Sequence, residues 1–94
     1  MEEQYLKYVP VFKALSDETR LQILDMLSSK EMCACKILAP FHISQPTLSY
    51  HMRILMESGL VTSRKEGPWV YYRMDPRRME EVQQFLAALA KDKE

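Results

Sequence analysis

Tyr5, Tyr8, Val9, Phe12 and Leu15 recur three and four positions apart, the spacing that lines one face of an α-helix. Pro10 falls inside that pattern and predicts a kink or a fresh start. Ser16 reads as the N-cap of a second helix, with Asp17 and Glu18 in its first turn and Leu21, Ile23, Leu24 and Leu27 on its buried face. A short third helix is predicted over Ala34 to Phe41, with Ile37, Leu38 and Phe41 inward. Ser44 caps a fourth, where Pro46 is tolerated because first-turn N–H groups lack intrahelical partners. Leu48, Met52, Leu55 and Met56 share one face of that helix, and Gly59 stops it. Beyond Gly59 the period drops to two: 60–65 and 69–74 read as short strands joined by Glu66-Gly67-Pro68. Asp75-Pro76 opens a last helix, in which Met79, Val82, Leu86 and Leu89 form a narrow seam of the kind helices use to pair.

The predicted order, α-α-α-α-β-β-α, is mainly α (α+β) and describes a winged helix-turn-helix. One domain over 1–94 accounts for all 94 residues: a helix-turn-helix over 34–59, a wing over 60–74, and dimerisation helices over 1–15 and 76–94. A chain this short buries only about 60% of its unfolded surface. With 47% apolar residues it has enough for a core and a subunit interface. No run approaches the ~20 apolar residues of a membrane span, and Met1-Glu2-Glu3 is acidic where a signal peptide is basic. A cytoplasmic protein without membrane contact is expected.

The net charge of zero conceals a useful distribution. Residues 36–73 carry five basic and two acidic side chains, while 1–35 carry four and six, and 74–94 four and five. The positive stretch contains the fourth helix. Thr47, Ser49, Tyr50 and Arg53 lie opposite its apolar face, with Gln45 and His51 on the flanks. These groups suit base edges and phosphates, whereas an ordinary solvated helix face carries more Glu and Lys. Arg64, Lys65 and Arg73 on the hairpin offer phosphate contacts, and the Gly67-Pro68 tip is slim enough for a minor groove. Double-stranded DNA is the partner these residues point to. No Ser/His/Asp set, phosphate loop or two-carboxylate cleft can be assembled, so an enzyme is not expected.

Cys33 and Cys35 are the two cysteines. One intervening residue makes a disulfide between them badly strained. Spacing alone leaves packing and chemistry equally open. Their place at the start of the third helix favours thiolate, the form that binds soft metals and metalloids. Residues i and i+2 point about 200° apart on a regular helix, whereas sulfurs on one centre at about 2.3 Å lie within roughly 4 Å of each other. Joint chelation is therefore expected to unwind or tilt the first turn and displace the reading helix.

Four segments together, Leu15-Ser16-Asp17-Glu18-Thr19-Arg20, Glu31-Met32-Cys33-Ala34-Cys35, Ser44 to Met52 and Ser58-Gly59-Leu60-Val61, resemble the ArsR family of metalloregulatory repressors, in particular its arsenical-resistance branch. The likeness runs in unbroken order from about Phe12 to Met74. It implies a homodimer that binds operator DNA and releases it when an inducer binds. It carries DNA contact to Gln45, Thr47, Ser49 and Tyr50, and also to Ser44, His51 and Arg53. It carries ligand binding to Cys33 and Cys35, with no permanent cofactor. Family members commonly place an acidic residue after the second cysteine and many a third cysteine three residues on; here those positions are Lys36 and Leu38. A third ligand is then expected to be solvent rather than His42. Zinc sensors of the family use Asp and His on the terminal helix, which has no histidine here, and cadmium or lead sensors often add N-terminal cysteines, also missing here. Arsenite or antimonite, As(III) or Sb(III), is thus the expected inducer. The rival readings are another thiophilic metal (Cd, Pb or Zn), thiol oxidation, or a winged-helix module that binds protein instead.

Overall fold

The computed structural model describes residues 2–91; Met1 and 92–94, the outer ends of the expected terminal segments, lie outside the described residues. The N-terminal pattern forms two helices, α1 (Glu2–Leu6) and α2 (Val9–Leu15), with Pro10 in the first turn of the second. Next comes α3 (Glu18–Leu27), capped by Asp17 rather than Ser16. The Asp17 carboxylate accepts from the Arg20 backbone N–H at 3.1 Å, which holds its pKa below the ordinary carboxylate value. Ser16 closes α2 instead, its hydroxyl donating to the Lys13 carbonyl. On α3, Ile23, Leu24 and Leu27 are buried as the pattern predicts, but Leu21 is exposed and Arg20 takes the inward position.

A two-residue strand, β1 (Met32–Cys33), leads into α4 (Ala34–Leu38), shorter than the predicted span to Phe41. The predicted fourth helix is α5 (Gln45–Glu57), capped by the Ser44 hydroxyl, which accepts from the Thr47 N–H. Its buried face is Leu48, His51, Met52, Ile54 and Leu55, while Met56 turns outward. Gly59 takes φ +81°, which favours glycine, and a Cβ there would also press on the Arg78 side chain at 3.1 Å.

The wing is the antiparallel hairpin β2 (Val61–Glu66) and β3 (Trp69–Met74), paired from Val61↔Met74 to Glu66↔Trp69. Gly67, at φ +60°, holds the first position of its two-residue turn. The short strand β1 adds to the other edge of β3, giving the order β1-β3-β2. Asp75 caps the last helix, α6 (Pro76–Ala90), by accepting from the N–H groups of Arg77 and Arg78. Its predicted seam divides: Val82 is buried and Met79 packs on the core with Phe85, whereas Leu86 and Leu89 stay exposed. One core, with Val11, Ile23, Ile37, Met52, Leu55 and Leu60 at its centre, carries α5 and the wing on the same body.

Candidate nucleic-acid interface and thiol site

The first two and a half turns of α5 present Gln45, Thr47, Ser49, Tyr50 and Arg53 to solvent, next to the exposed cap Ser44. Ser44 Oγ also donates to Thr47 Oγ1 at 3.0 Å, so these two hydroxyls are partly committed to the cap. The Arg53 guanidinium lies 5.8 Å from the centre of the Tyr50 ring, which steadies both side chains on the outer face.

His51 does not join them. It is 8% exposed, and its Nδ1 lies 3.0 Å from Arg20 Nη1. Arginine has no acceptor, so Nδ1 accepts and the proton sits on Nε2. Arg20 is 6% exposed and also donates to the carbonyls of Ala14 and Lys13. The DNA contact expected of His51 is therefore corrected to a seat: Arg20 and His51 fasten α5 to the α2–α3 corner. Arg20 falls three, four and seven residues before Ile23, Leu24 and Leu27, so helical spacing held the signal.

On the wing, Arg64 is likewise not a free cation. It donates to both Glu31 oxygens at 2.9 and 2.8 Å and to Glu66 at 2.8 Å, and its guanidinium lies over the Tyr71 ring. Those bonds raise the Arg64 pKa further and lower that of Glu31. Lys65 and Arg73 are exposed on the same hairpin. A pairing 33 residues apart has no local signature in the sequence, which hides the role of Glu31.

The cysteines are free thiols, Cys35 exposed and Cys33 half-buried, with their sulfurs 2.9 Å apart. The expected helical divergence of about 200° does not occur, because Cys33 is not in the helix. It is the N-cap of α4 with an extended backbone, φ −67° and ψ 145°, and only Cys35 is helical. Both side chains then converge on one side. Unwinding α4 is thus no prerequisite for sharing a ligand, contrary to what helical spacing predicts. The Cys35 thiol hydrogen-bonds to Cys33, which lowers the Cys33 pKa and raises that of Cys35. Lys36 adds a smaller lowering influence on Cys33. Among the described residues no group of three or more His, Cys, Asp or Glu side chains comes together, so His42 does not complete the pair within one chain.

The thiols open into a cleft of about 540 Å³ between helix-turn-helix and wing. Gln45, Ser49 and Met52 of α5 line one side and Trp69, Val70 and Tyr72 of β3 another. Cys33 also faces Tyr71 in the β1–β3 ladder. Thiol pair, reading helix and wing therefore meet at one place.

A helix-turn-helix with an outward polar reading helix and a paired wing is the architecture of a DNA-binding regulator. Residues 17–63 match the model of the bacterial regulatory protein, arsR family. The chain is 44% identical over 82 residues to an arsenical resistance operon repressor of Staphylococcus aureus, covering 87% of this chain and 79% of that protein. It is 43% identical over 81 residues to an uncharacterised HTH-type regulator of Methanocaldococcus jannaschii, covering 85% and 91%. An ArsR-like transcriptional regulator from Rhodococcus superposes with a TM-score of 0.85 at 29% identity, over 96% of this chain and 83% of the other. A homodimeric winged helix-turn-helix DNA-binding domain from Mycobacterium bovis superposes at 0.78, also at 29% identity, over 95% and 82%. The chain belongs to the arsR family, whose members are DNA-binding transcriptional regulators. Among the described residues no helix is long and apolar enough to cross a membrane.

Proposed function

We propose that this protein is a homodimeric repressor that holds operator DNA when ligand-free and releases it when trivalent arsenic or antimony binds Cys33 and Cys35. One observation carries the reading: two sulfurs 2.9 Å apart share a cleft with the N-terminal turns of the reading helix. The arsenical-resistance repressors among its relatives support the choice of ligand. Within the domain 1–94, segment 34–59 reads DNA, 60–74 is the wing, and 1–15 with 76–94 form the dimer contact. Ser44, Gln45, Thr47, Ser49, Tyr50 and Arg53 meet bases and phosphates, and Lys65 supplies a wing contact.

The anchoring of the cysteines supplies a mechanism. Cys33 belongs to β1 and moves with the wing through β3, whereas Cys35 belongs to α4, the support of α5. Each arsenic–sulfur bond replaces an arsenic–hydroxyl bond and releases water. Two sulfurs on one centre are held at roughly 3.5–4 Å by analogy with metal thiolates, so a shared ligand ties β1 to α4. That tie sets the wing relative to the reading helix, the two parts that must fit adjacent grooves together.

A gel-shift titration on the DNA upstream of the protein's own gene tests this directly. Arsenite is expected to release the wild type under strict reduction and to leave Cys33→Ser and Cys35→Ser bound. Release of the double variant by arsenite refutes the sensor assignment. Cadmium, lead, zinc and peroxide, titrated in parallel, test the rival signals.

A further inference from the structure

Trivalent arsenic forms three bonds, and this chain supplies two sulfurs. Among the described residues no third His, Cys, Asp or Glu side chain joins them. Both cysteines instead border a cleft of about 540 Å³ whose walls include Leu38, Met52, Val70 and Trp69. Inorganic arsenite on two sulfurs would keep a hydroxyl, a polar group to which these four side chains offer no oxygen acceptor. A trivalent arsenical that already carries one carbon substituent has two exchangeable positions, matching the two thiols.

We propose that the preferred ligand class is a mono-organic trivalent arsenical, its arsenic held by Cys33 and Cys35 and its apolar substituent lodged in the cleft between α5 and β3. This rests on the arsenic-responsive reading above and narrows it. The reaction is a double exchange without redox change: R–As(OH)₂ and two Cys–SH give R–As(S–Cys)₂ and two waters. Two As–O and two S–H bonds break, and each hydroxyl leaves with a thiol proton. The substituent then lies against Ser49 and Gln45, which also line the cleft, so occupancy acts on the reading helix as well as on the wing.

Trp69 is the single tryptophan and lines the same cleft, which gives a binding signal independent of DNA. Its fluorescence is followed while reduced protein is titrated with sodium arsenite, methylarsonous acid or phenylarsine oxide. The same three compounds competing for dithiothreitol measure the preference of a dithiol without a cleft. The protein is expected to favour the phenyl over the methyl compound by at least about tenfold more than dithiothreitol does, the effect of partly burying one ring. Val70→Glu, which charges the cleft wall, and Ala39→Phe, which fills it, should each return that ratio to the dithiothreitol value and still bind the methyl compound. Two variants guard against one failing to fold, judged by circular dichroism and by DNA binding without ligand. A wild-type ratio equal to that of dithiothreitol, or tighter binding of arsenite than of either organic compound, overturns the proposal while leaving arsenic sensing intact. Undiminished binding of all three arsenicals by the Cys33→Ser/Cys35→Ser protein overturns the underlying reading as well.

Discussion

Cys33 owes its chemistry to a backbone choice. As an extended N-cap it meets the Cys35 thiol, whose hydrogen bond stabilises the Cys33 thiolate and opposes ionisation of Cys35. A lowered pKa means more thiolate at neutral pH, so Cys33 is expected to alkylate first. Limited iodoacetamide labelling followed by peptide mass mapping should show Cys33 modified ahead of Cys35 at pH 7. Removing the donor with Cys35→Ala should shift the pH–rate midpoint of Cys33 upward. Equal labelling of the two residues, or an unmoved midpoint, contradicts the arrangement. The sequence locates this pair and its chemical class but not its geometry. The helix begins at Ala34 as the pattern suggests, but counting Cys33 as helical gives the wrong divergence, because a two-residue strand is too short to show a period of its own. His51 is hard to place for a different reason. Its flank position on α5 suits solvent or core equally, and only Arg20, 31 residues away, decides for the core.

At the scale of elements, α5 and the hairpin are legible because each is long enough to show its period and is bounded by Ser44, Gly59 and Gly67. What the hairpin does with its charges is not legible, since Glu31 approaches it through tertiary structure. The consequence reaches DNA binding. Arg64 already has two carboxylate partners, so using it on a phosphate requires exchanging ion pairs, whereas Lys65 is exposed on the same strand. Lys65→Ala is therefore expected to flatten the dependence of log K on log salt by about one unit for each phosphate that Lys65 neutralises. Arg64→Ala should flatten it less, though it also loosens the wing from Glu31. Fluorescence anisotropy on the operator at several salt concentrations separates the two. A larger slope change for Arg64→Ala would mean that DNA displaces Glu31 and Glu66.

Across the whole molecule, the apolar surface left uncovered is concentrated on the terminal helices. Tyr5, Leu6, Val9 and Phe12 on α1 and α2, with Leu86 and Leu89 on α6, are all exposed. Phe85 joins the two groups, stacked on Tyr8 at 4.1 Å and within 6.4 Å of Tyr5 and Phe12. Apolar residues gathered in this way mark an interface more often than an idle surface. A second copy of the chain is the natural cover, as in the homodimeric Mycobacterium bovis domain of the same fold. The double change Leu86→Lys/Leu89→Lys removes apolar groups that the monomer does not bury, so the helical circular dichroism should persist. Sedimentation should show the monomer mass where the wild type shows twice that value. Two reading helices joined in one dimer bind two half-sites with the advantage of an intramolecular second contact, so losing the dimer should weaken operator binding by about a hundredfold or more. Arsenical binding, read by Trp69, should survive, because both sulfurs and the cleft lie within one chain. A variant that remains dimeric would place the interface elsewhere. A monomer that loses the arsenical as well would mean that the partner completes the site, supplying the third ligand that one chain lacks.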